Sequence, residues 1–157
     1  MLHRSKPLAG PVSASDSHYV ALTEQPNERP LTVLCIEDDS ASLSLIEAAV
    51  SERPDVELLV ATDGAEGAQM ARRHQPDLVL ADVDLPSMGG EEVLARLRVD
   101  PLTRPVPVVM VGADPDAGGM ADRLIARGAR SCLAKPLKVR ELARVLDYDV
   151  VRPAIAL

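Results

Sequence analysis

Charged side chains follow three apolar runs of the sequence, at the point where each run ends. The first run ends in Glu37-Asp38-Asp39. The second ends in Asp82 and the third in Lys135. If the runs are neighbouring strands of one parallel sheet, their ends share one edge, and several carboxylates surround a single ammonium group. Carboxylates that close together are costly unless a cation sits among them, so the pattern indicates a metal site.

Short apolar runs predict the strands that position these charges. The runs do not alternate apolar and polar residues, which is typical of strands buried on both faces of a parallel sheet. There are five of them: Leu31–Ile36, Val56–Ala61, Leu78–Ala81, Val106–Val111 and Arg130–Ala134.

Helical patterns separate the runs. The predicted helices begin with Ser40 as a cap, at Asp63 or Gly64, at Glu91 after a flexible Gly89-Gly90 turn, at Pro115, and at Lys138. The fourth helix is expected to turn Leu124 and Ile125 inward and to end at Gly128. Five strand–helix units predict an α/β fold, a doubly wound five-stranded parallel sheet in three α/β/α layers. Such sheets bind ligands at the carboxyl ends of their strands.

Composition argues against several classes of function. The chain has 157 residues, 1% aromatic residues and a net charge of −7. It therefore lacks the basic footprint for duplex DNA and the aromatic platforms for single strands. No apolar stretch approaches the roughly 20 residues of a membrane span. We expect a cytoplasmic protein that binds neither nucleic acid nor membrane directly.

The apolar pattern also predicts the domain organisation. Residues 1–30 show no apolar period and are rich in Pro, Ser and Ala, which predicts a disordered extension or linker. Residues 31–148 are predicted to form one domain, and residues 149–157 a C-terminal tail.

Three motifs together resemble the receiver domain of bacterial two-component response regulators. They are residues 33–39, 77–90 and 132–137, each on the matching element. The resemblance covers roughly residues 31–148 and implies a flavodoxin-like strand order of 2-1-3-4-5, with a cis peptide bond before Pro136. The chain would be a stand-alone receiver or one cut from a hybrid kinase.

The resemblance also implies a role for each charged residue. Asp82 matches the phosphoacceptor, and Lys135 matches the lysine that contacts the phosphoryl group. Mg²⁺ would be held directly by Asp38 and Asp82, by the backbone carbonyl of Asp84, and by Glu37 through water. The chemistry is sound, because a carboxylate nucleophile can form an aspartyl phosphate. Phosphoryl transfer needs mainly positioning and charge neutralisation.

The function implied is that of a phosphoacceptor in a phosphorelay. A histidine kinase or a phosphotransfer protein would donate the phosphoryl group from phosphohistidine. The domain would catalyse only its own phosphorylation and dephosphorylation, so it is not expected to be an enzyme. With no output domain after residue 148, it would act on an unidentified downstream protein or as a phosphoryl shuttle or sink.

The sequence departs from the family at the positions that respond to phosphorylation. Receivers usually carry Ser or Thr at the end of the fourth strand and an aromatic residue on the fifth. Here these positions are Gly112 and Cys132, while Ala113 keeps the small residue that follows the hydroxyl. We expect Asp82 to remain phosphorylatable and the conformational response to be weak or to take another route.

Three alternatives remain. The missing switch residues favour a pseudo-receiver that binds a partner without phosphorylation. Asp82-Val83-Asp84 is similar to the nucleophile motif of haloacid-dehalogenase-type phosphatases, although Pro86 and the position on the third strand argue against it. A nucleotide-binding module is disfavoured because no Gly-rich loop follows the first strand.

Basic residues near the end of the domain form either a solvated surface or an interaction face: Arg123, Arg127, Arg130, Lys138, Arg140 and Arg144.

Overall fold

Each predicted apolar run forms a strand of one sheet. The computed structural model describes residues 29–150. The predicted extension and tail lie almost entirely outside these residues, so the domain boundaries stay predictions. The strands are β1 (Leu31–Ile36), β2 (Val56–Ala61), β3 (Leu78–Asp82), β4 (Val108–Gly112) and β5 (Ser131–Ala134). All pair in parallel, in the order β2-β1-β3-β4-β5, which confirms the predicted order.

Helices connect the strands and cover both faces of the sheet. They are α1 (Ser40–Ser51), α2 (Gly64–His74), α3 (Gly90–Val99), α4 (Met120–Ala126) and α5 (Val139–Asp149), with a 3₁₀ turn at Ala117–Gly119. One hydrophobic core joins the sheet to α2, α3 and α4, and the other joins it to α1 and α5. Leu34 and Ile36 point into the first core, whereas Val33 and Cys35 point into the second. This is the predicted three-layer fold.

The fourth strand begins later than predicted. The apolar run starts at Val106, but the backbone N–H of Val106 donates to Thr103 in a turn. Pro107 has no N–H to give to a ladder. The strand therefore begins at Val108.

The fourth helix is also shorter than predicted. It begins at Met120 rather than at Pro115, because Gly118 and Gly119 take left-handed backbone conformations with φ of 62° and 72°. Leu124 is fully buried as expected, but Ile125 is 48% exposed, so its inward placement was wrong. This short helix buries only Leu124, so its buried face is too narrow to include the adjacent residue. Gly128, with φ of 109°, follows the helix end as predicted.

The residues described contain no helix long and apolar enough to cross a bilayer.

Candidate functional site

The acidic side of the site is built where β1 turns into α1. Glu37 follows the strand and is buried, with 1% of its surface exposed. Asp39 caps α1 by accepting a hydrogen bond from the backbone N–H of Ser42 at 3.1 Å. The cap was predicted at Ser40. Asp39 takes it instead because the helix begins one residue earlier, with Ser40 as its first residue. Asp38, between these residues, is exposed.

Asp82 ends β3, between β1 and β4, and only 4% of its surface is exposed. Both of its carboxylate oxygens accept hydrogen bonds. Oδ1 accepts the backbone N–H of Asp84 at 2.9 Å, and Oδ2 accepts Lys135 Nζ at 2.9 Å. The carboxylate is therefore fixed at the carboxyl edge of the sheet.

Lys135 joins the acids from the end of β5. Its Nζ also donates to Glu37 Oε1 at 3.0 Å and lies 3.9 Å from Asp39 Oδ2. Partial burial lowers the pKa of Lys135, but hydrogen bonds to Asp82 and Glu37 outweigh it, and the net pKa is raised. The ammonium group thus stays charged. The peptide bond between Lys135 and Pro136 is cis, as the resemblance implied.

The three acids lie close enough to share one cation. One carboxylate oxygen from each of Glu37, Asp38 and Asp82 falls within 4.8 Å of the others. Burial raises the pKa of Glu37 to about 7, and the carboxylate of Asp82 adds to this rise. Carboxylate oxygens this close together suit Mg²⁺, which commonly binds one or two carboxylates and keeps several waters. The donor set therefore fits the predicted ion. Asp84 is exposed, and the role of its carbonyl stays a prediction.

Gly90 brings α3 against the backbone of Asp82. A Cβ atom at Gly90 would lie 2.1 Å from the backbone oxygen of Asp82, a distance that no side chain tolerates. Gly90 also donates its N–H to Val83 at 3.0 Å. The sequence predicted a flexible turn here, but Gly90 is the first residue of α3. Its close approach, set by tertiary packing, was not visible in the sequence.

The three positions predicted to respond to phosphorylation are occupied by small residues. Gly112 ends β4, and a Cβ atom there would meet Val83 at 3.4 Å and Met120 at 3.8 Å, which are ordinary contacts. Ala113 follows and is exposed. Cys132 lies in β5, partly buried against the α2–α3–α4 core. A Cβ atom therefore fits at Gly112.

A carboxylate at the start of α3 holds α4 in place. Glu91 Oε1 accepts hydrogen bonds from Arg123 Nε at 3.1 Å and from an Arg127 terminal nitrogen at 2.9 Å. Arg130 pairs with Asp149 at 2.9 Å. Three of the six basic residues noted in the sequence are therefore paired within the domain. No local pattern predicts this role of Glu91, because its partners lie 32 and 36 residues away.

Comparison with known proteins decides the family. The model of the response regulator receiver domain matches residues 33–147. The chain belongs to this family. Receiver domains act in two-component systems, bind Mg²⁺ in an acidic pocket and interact with histidine kinases or phosphotransfer proteins.

Several known proteins are similar to this chain. A protein-glutamate methylesterase/protein-glutamine glutaminase 1 of Caulobacter vibrioides is 34% identical over 80% of the chain and 36% of its own length. Response regulator PleD of the same species is 36% identical over 71% of the chain and 26% of its own length. The chain thus spans about a third or less of these two curated relatives. The polar-differentiation response regulator DivK of Brucella anthropi is 32% identical over 70% of the chain and 88% of its own length.

Solved structures show the same fold. The receiver domain of sensor histidine kinase PA1611 from Pseudomonas aeruginosa superposes with a TM-score of 0.68 at 28% identity. The match covers 77% of this chain and 98% of that one. A magnesium ion is coordinated in the active-site cleft of that receiver.

Proposed function

We propose that this chain is the phosphoacceptor of a phosphorelay and that Asp82 receives the phosphoryl group. A carboxylate oxygen of Asp82 attacks the phosphorus of a phosphohistidine on a histidine kinase or phosphotransfer protein. The P–O bond forms as the P–N bond breaks, and the imidazole leaves with the electron pair. The observation that carries the proposal is the Asp82–Lys135–Glu37 hydrogen-bonded cluster at the carboxyl edge of the sheet.

Each residue of the cluster has a defined part in this transfer. Asp38 and Asp82 would hold Mg²⁺ directly, and Glu37 would hold it through water. The ion would neutralise charge on the phosphoryl oxygens. Lys135 supplies a compact positive charge to the same oxygens. The N–H of Asp84 holds one oxygen of Asp82 and so orients the nucleophile.

The test is phosphorylation by acetyl phosphate with Mg²⁺, read as a mass increase of the intact protein. We expect the parent to gain one phosphoryl group and Asp82→Asn to gain none. Asp55→Asn is the matched control, because Asp55 is exposed and precedes β2 at the opposite edge of the sheet. This variant should label like the parent. Equal labelling of Asp82→Asn, or none of the parent, contradicts the proposal.

A second candidate is favoured by Gly112 and Cys132, which carry neither the hydroxyl nor the aromatic ring of ordinary receivers. It is a pseudo-receiver that binds its partner without phosphorylation. A folded parent that binds Mg²⁺ and accepts no phosphoryl group would support this candidate. Sustained hydrolysis of a phosphomonoester would instead support the dehalogenase-type phosphatase.

A further inference from the structure

A second charged pocket lies at the opposite end of the sheet from Asp82. It occupies about 490 Å³ between the end of α3, the loop before β4 and the turn before β5. Its lining includes Arg98, Arg104, Arg130, Pro105, Pro107 and Gly128. Strands β4 and β5 run from this pocket towards Gly112 and Lys135. The two pockets are therefore separated by the length of the sheet.

Arg98 is fixed in this pocket by backbone groups. Its guanidinium group donates to the carbonyls of Gly128 at 3.1 Å, Arg104 at 2.6 Å and Val106 at 2.8 Å. A Cβ atom at Gly128 would lie 2.8 Å from Arg98 Nε, so the absence of a side chain there lets the two approach. Burial lowers the pKa of Arg98, and the nearby charge of Arg130 lowers it further. The positive charge is held in place without a carboxylate contact.

The guanidinium groups keep donors for a ligand. A guanidinium group carries five N–H donors. Among the hydrogen bonds within residues 29–150, Arg98 uses three, Arg104 uses one on the Arg98 carbonyl, and Arg130 uses one on Asp149. The donors that remain lie on Arg98, Arg104 and Arg130, which all line this pocket. Arg130 also lines a neighbouring pocket beside α5, where it pairs with Asp149.

Nearby acids are already engaged by other arginines or by Arg130 itself. The backbone N–H of Leu102 lowers the pKa of Asp100 most, and the charges of Arg72 and Arg104 lower it further. Asp100 forms an ion pair with Arg72 at 2.9 Å. Asp149 pairs with Arg130 at 2.9 Å. Within the part of the chain that the structure describes, no carboxylate forms an ion pair with Arg98 or Arg104. In a chain of net charge −7, this pocket is a local concentration of positive charge.

We propose that this pocket binds a small phosphate-bearing anion. Guanidinium forks match the paired oxygens of phosphate, and converging guanidinium groups are stabilised by an anion between them. The volume is within the range of small-ligand sites, which starts at about 300 Å³. Free phosphate and a mononucleotide share the phosphate chemistry that the arginines bind. Pro105 and Pro107 give the pocket rigid apolar walls, which only the larger ligand would contact.

The test is a titration of the full, ¹⁵N-labelled chain with inorganic phosphate and, separately, with AMP, without Mg²⁺. We expect saturable amide shifts at Gly128 and Ala129 and none at Asp84. Tighter binding of AMP assigns the pocket to nucleotides, and equal binding assigns it to the phosphoryl group alone. Shifts that do not saturate, or shifts centred on Asp84 and Lys135, overturn the proposal.

Paired substitutions distinguish binding in the pocket from a general effect of net charge. Arg104→Gln with Arg130→Gln should weaken binding at least about tenfold, whereas replacement of both by Lys should retain part of it. The matched control is Arg73→Gln with Arg140→Gln. It makes the same change of net charge at two exposed arginines outside the pocket. Arg98 is left intact because it holds three carbonyls. Equal weakening by the control pair overturns the proposal, and urea midpoints near the parent's show that the variants are folded.

Discussion

The carboxyl edge of the sheet has two halves that differ in chemistry. The acceptor half (Glu37, Asp82 and Lys135) is joined by short hydrogen bonds and is mostly buried. The response half (Gly112, Ala113 and Cys132) carries no hydroxyl and no aromatic ring. The groups proposed to bind a phosphoryl group are thus present without the hydroxyl and the aromatic ring that the family resemblance led us to expect.

Removing the ammonium group of Lys135 should have the largest effect on the acceptor half. In Lys135→Met, Asp82 loses its contact at 2.9 Å, and the incoming phosphoryl group loses a positive charge. Hydrogen bonds to charged groups are worth about 1.5–3 kcal/mol, so the initial rate of labelling by acetyl phosphate should fall about ten- to a hundredfold. The matched control is Lys138→Met, because Lys138 is exposed and lies three residues further along the chain. Equal rates in the two variants would show that Lys135 has no part in the transfer.

The charged residues at strand ends were the strongest signal in the sequence. Strand β1 has the predicted bounds because a buried parallel strand is a continuous apolar run with clear ends. Strand β2 also has the predicted bounds, although it lies at the edge of the sheet and contains the exposed Glu57. The same reasoning places Glu37, Asp82 and Lys135 at one edge of the sheet, and the structure brings them together. Their functional roles remain predictions.

Other features depend on contacts that the local sequence does not contain. The start of α4 is set by the left-handed conformations of Gly118 and Gly119, and a Pro at the first position of a helix gave a misleading start signal. A glycine is needed at position 90 because the backbone oxygen of Asp82, eight residues earlier, lies where a Cβ atom would be. The Arg98 pocket joins three segments through backbone carbonyls, which have no sequence signature.

Adding one methyl group distinguishes the packing of the two halves. Gly90→Ala places a Cβ atom against the Asp82 backbone, so α3 must shift, at a cost of about 1–3 kcal/mol. Gly112→Ala meets only ordinary contacts and should cost less than about 1 kcal/mol. Urea unfolding of both variants measures the difference. Similar losses of stability would mean that the two halves are packed equally tightly.

A hydroxyl in the response half tests whether the missing group limits the conformational change. In Gly112→Ser, the added Oγ can donate to the phosphoryl group. A contact of about 1.5 kcal/mol, made only in the responding conformation, would raise its population ratio about tenfold. Amide shifts of residues 113–119 on phosphorylation should therefore be larger than in the parent. Gly112→Ala is the control, since it adds the carbon without the hydroxyl. Equal shifts in the two variants would show that the missing hydroxyl at the end of β4 does not limit the conformational change.

The smallest effect is expected for Glu91, which follows Gly90 in α3 and connects this helix to α4. Glu91→Gln weakens contacts to Arg123 and Arg127 that are partly exposed, so the whole domain should lose only about 0.3–1 kcal/mol. The effect on the local stability of α4 should be larger, because this helix has seven residues and only Leu124 among them is buried. Amide exchange in α4 should quicken while exchange in α3 does not change. Glu92→Gln is the control, since its contact with Arg96 at 3.6 Å stays within α3. If both variants leave α4 equally protected, the packing of Leu124 and Met120 against the core holds this helix without Glu91.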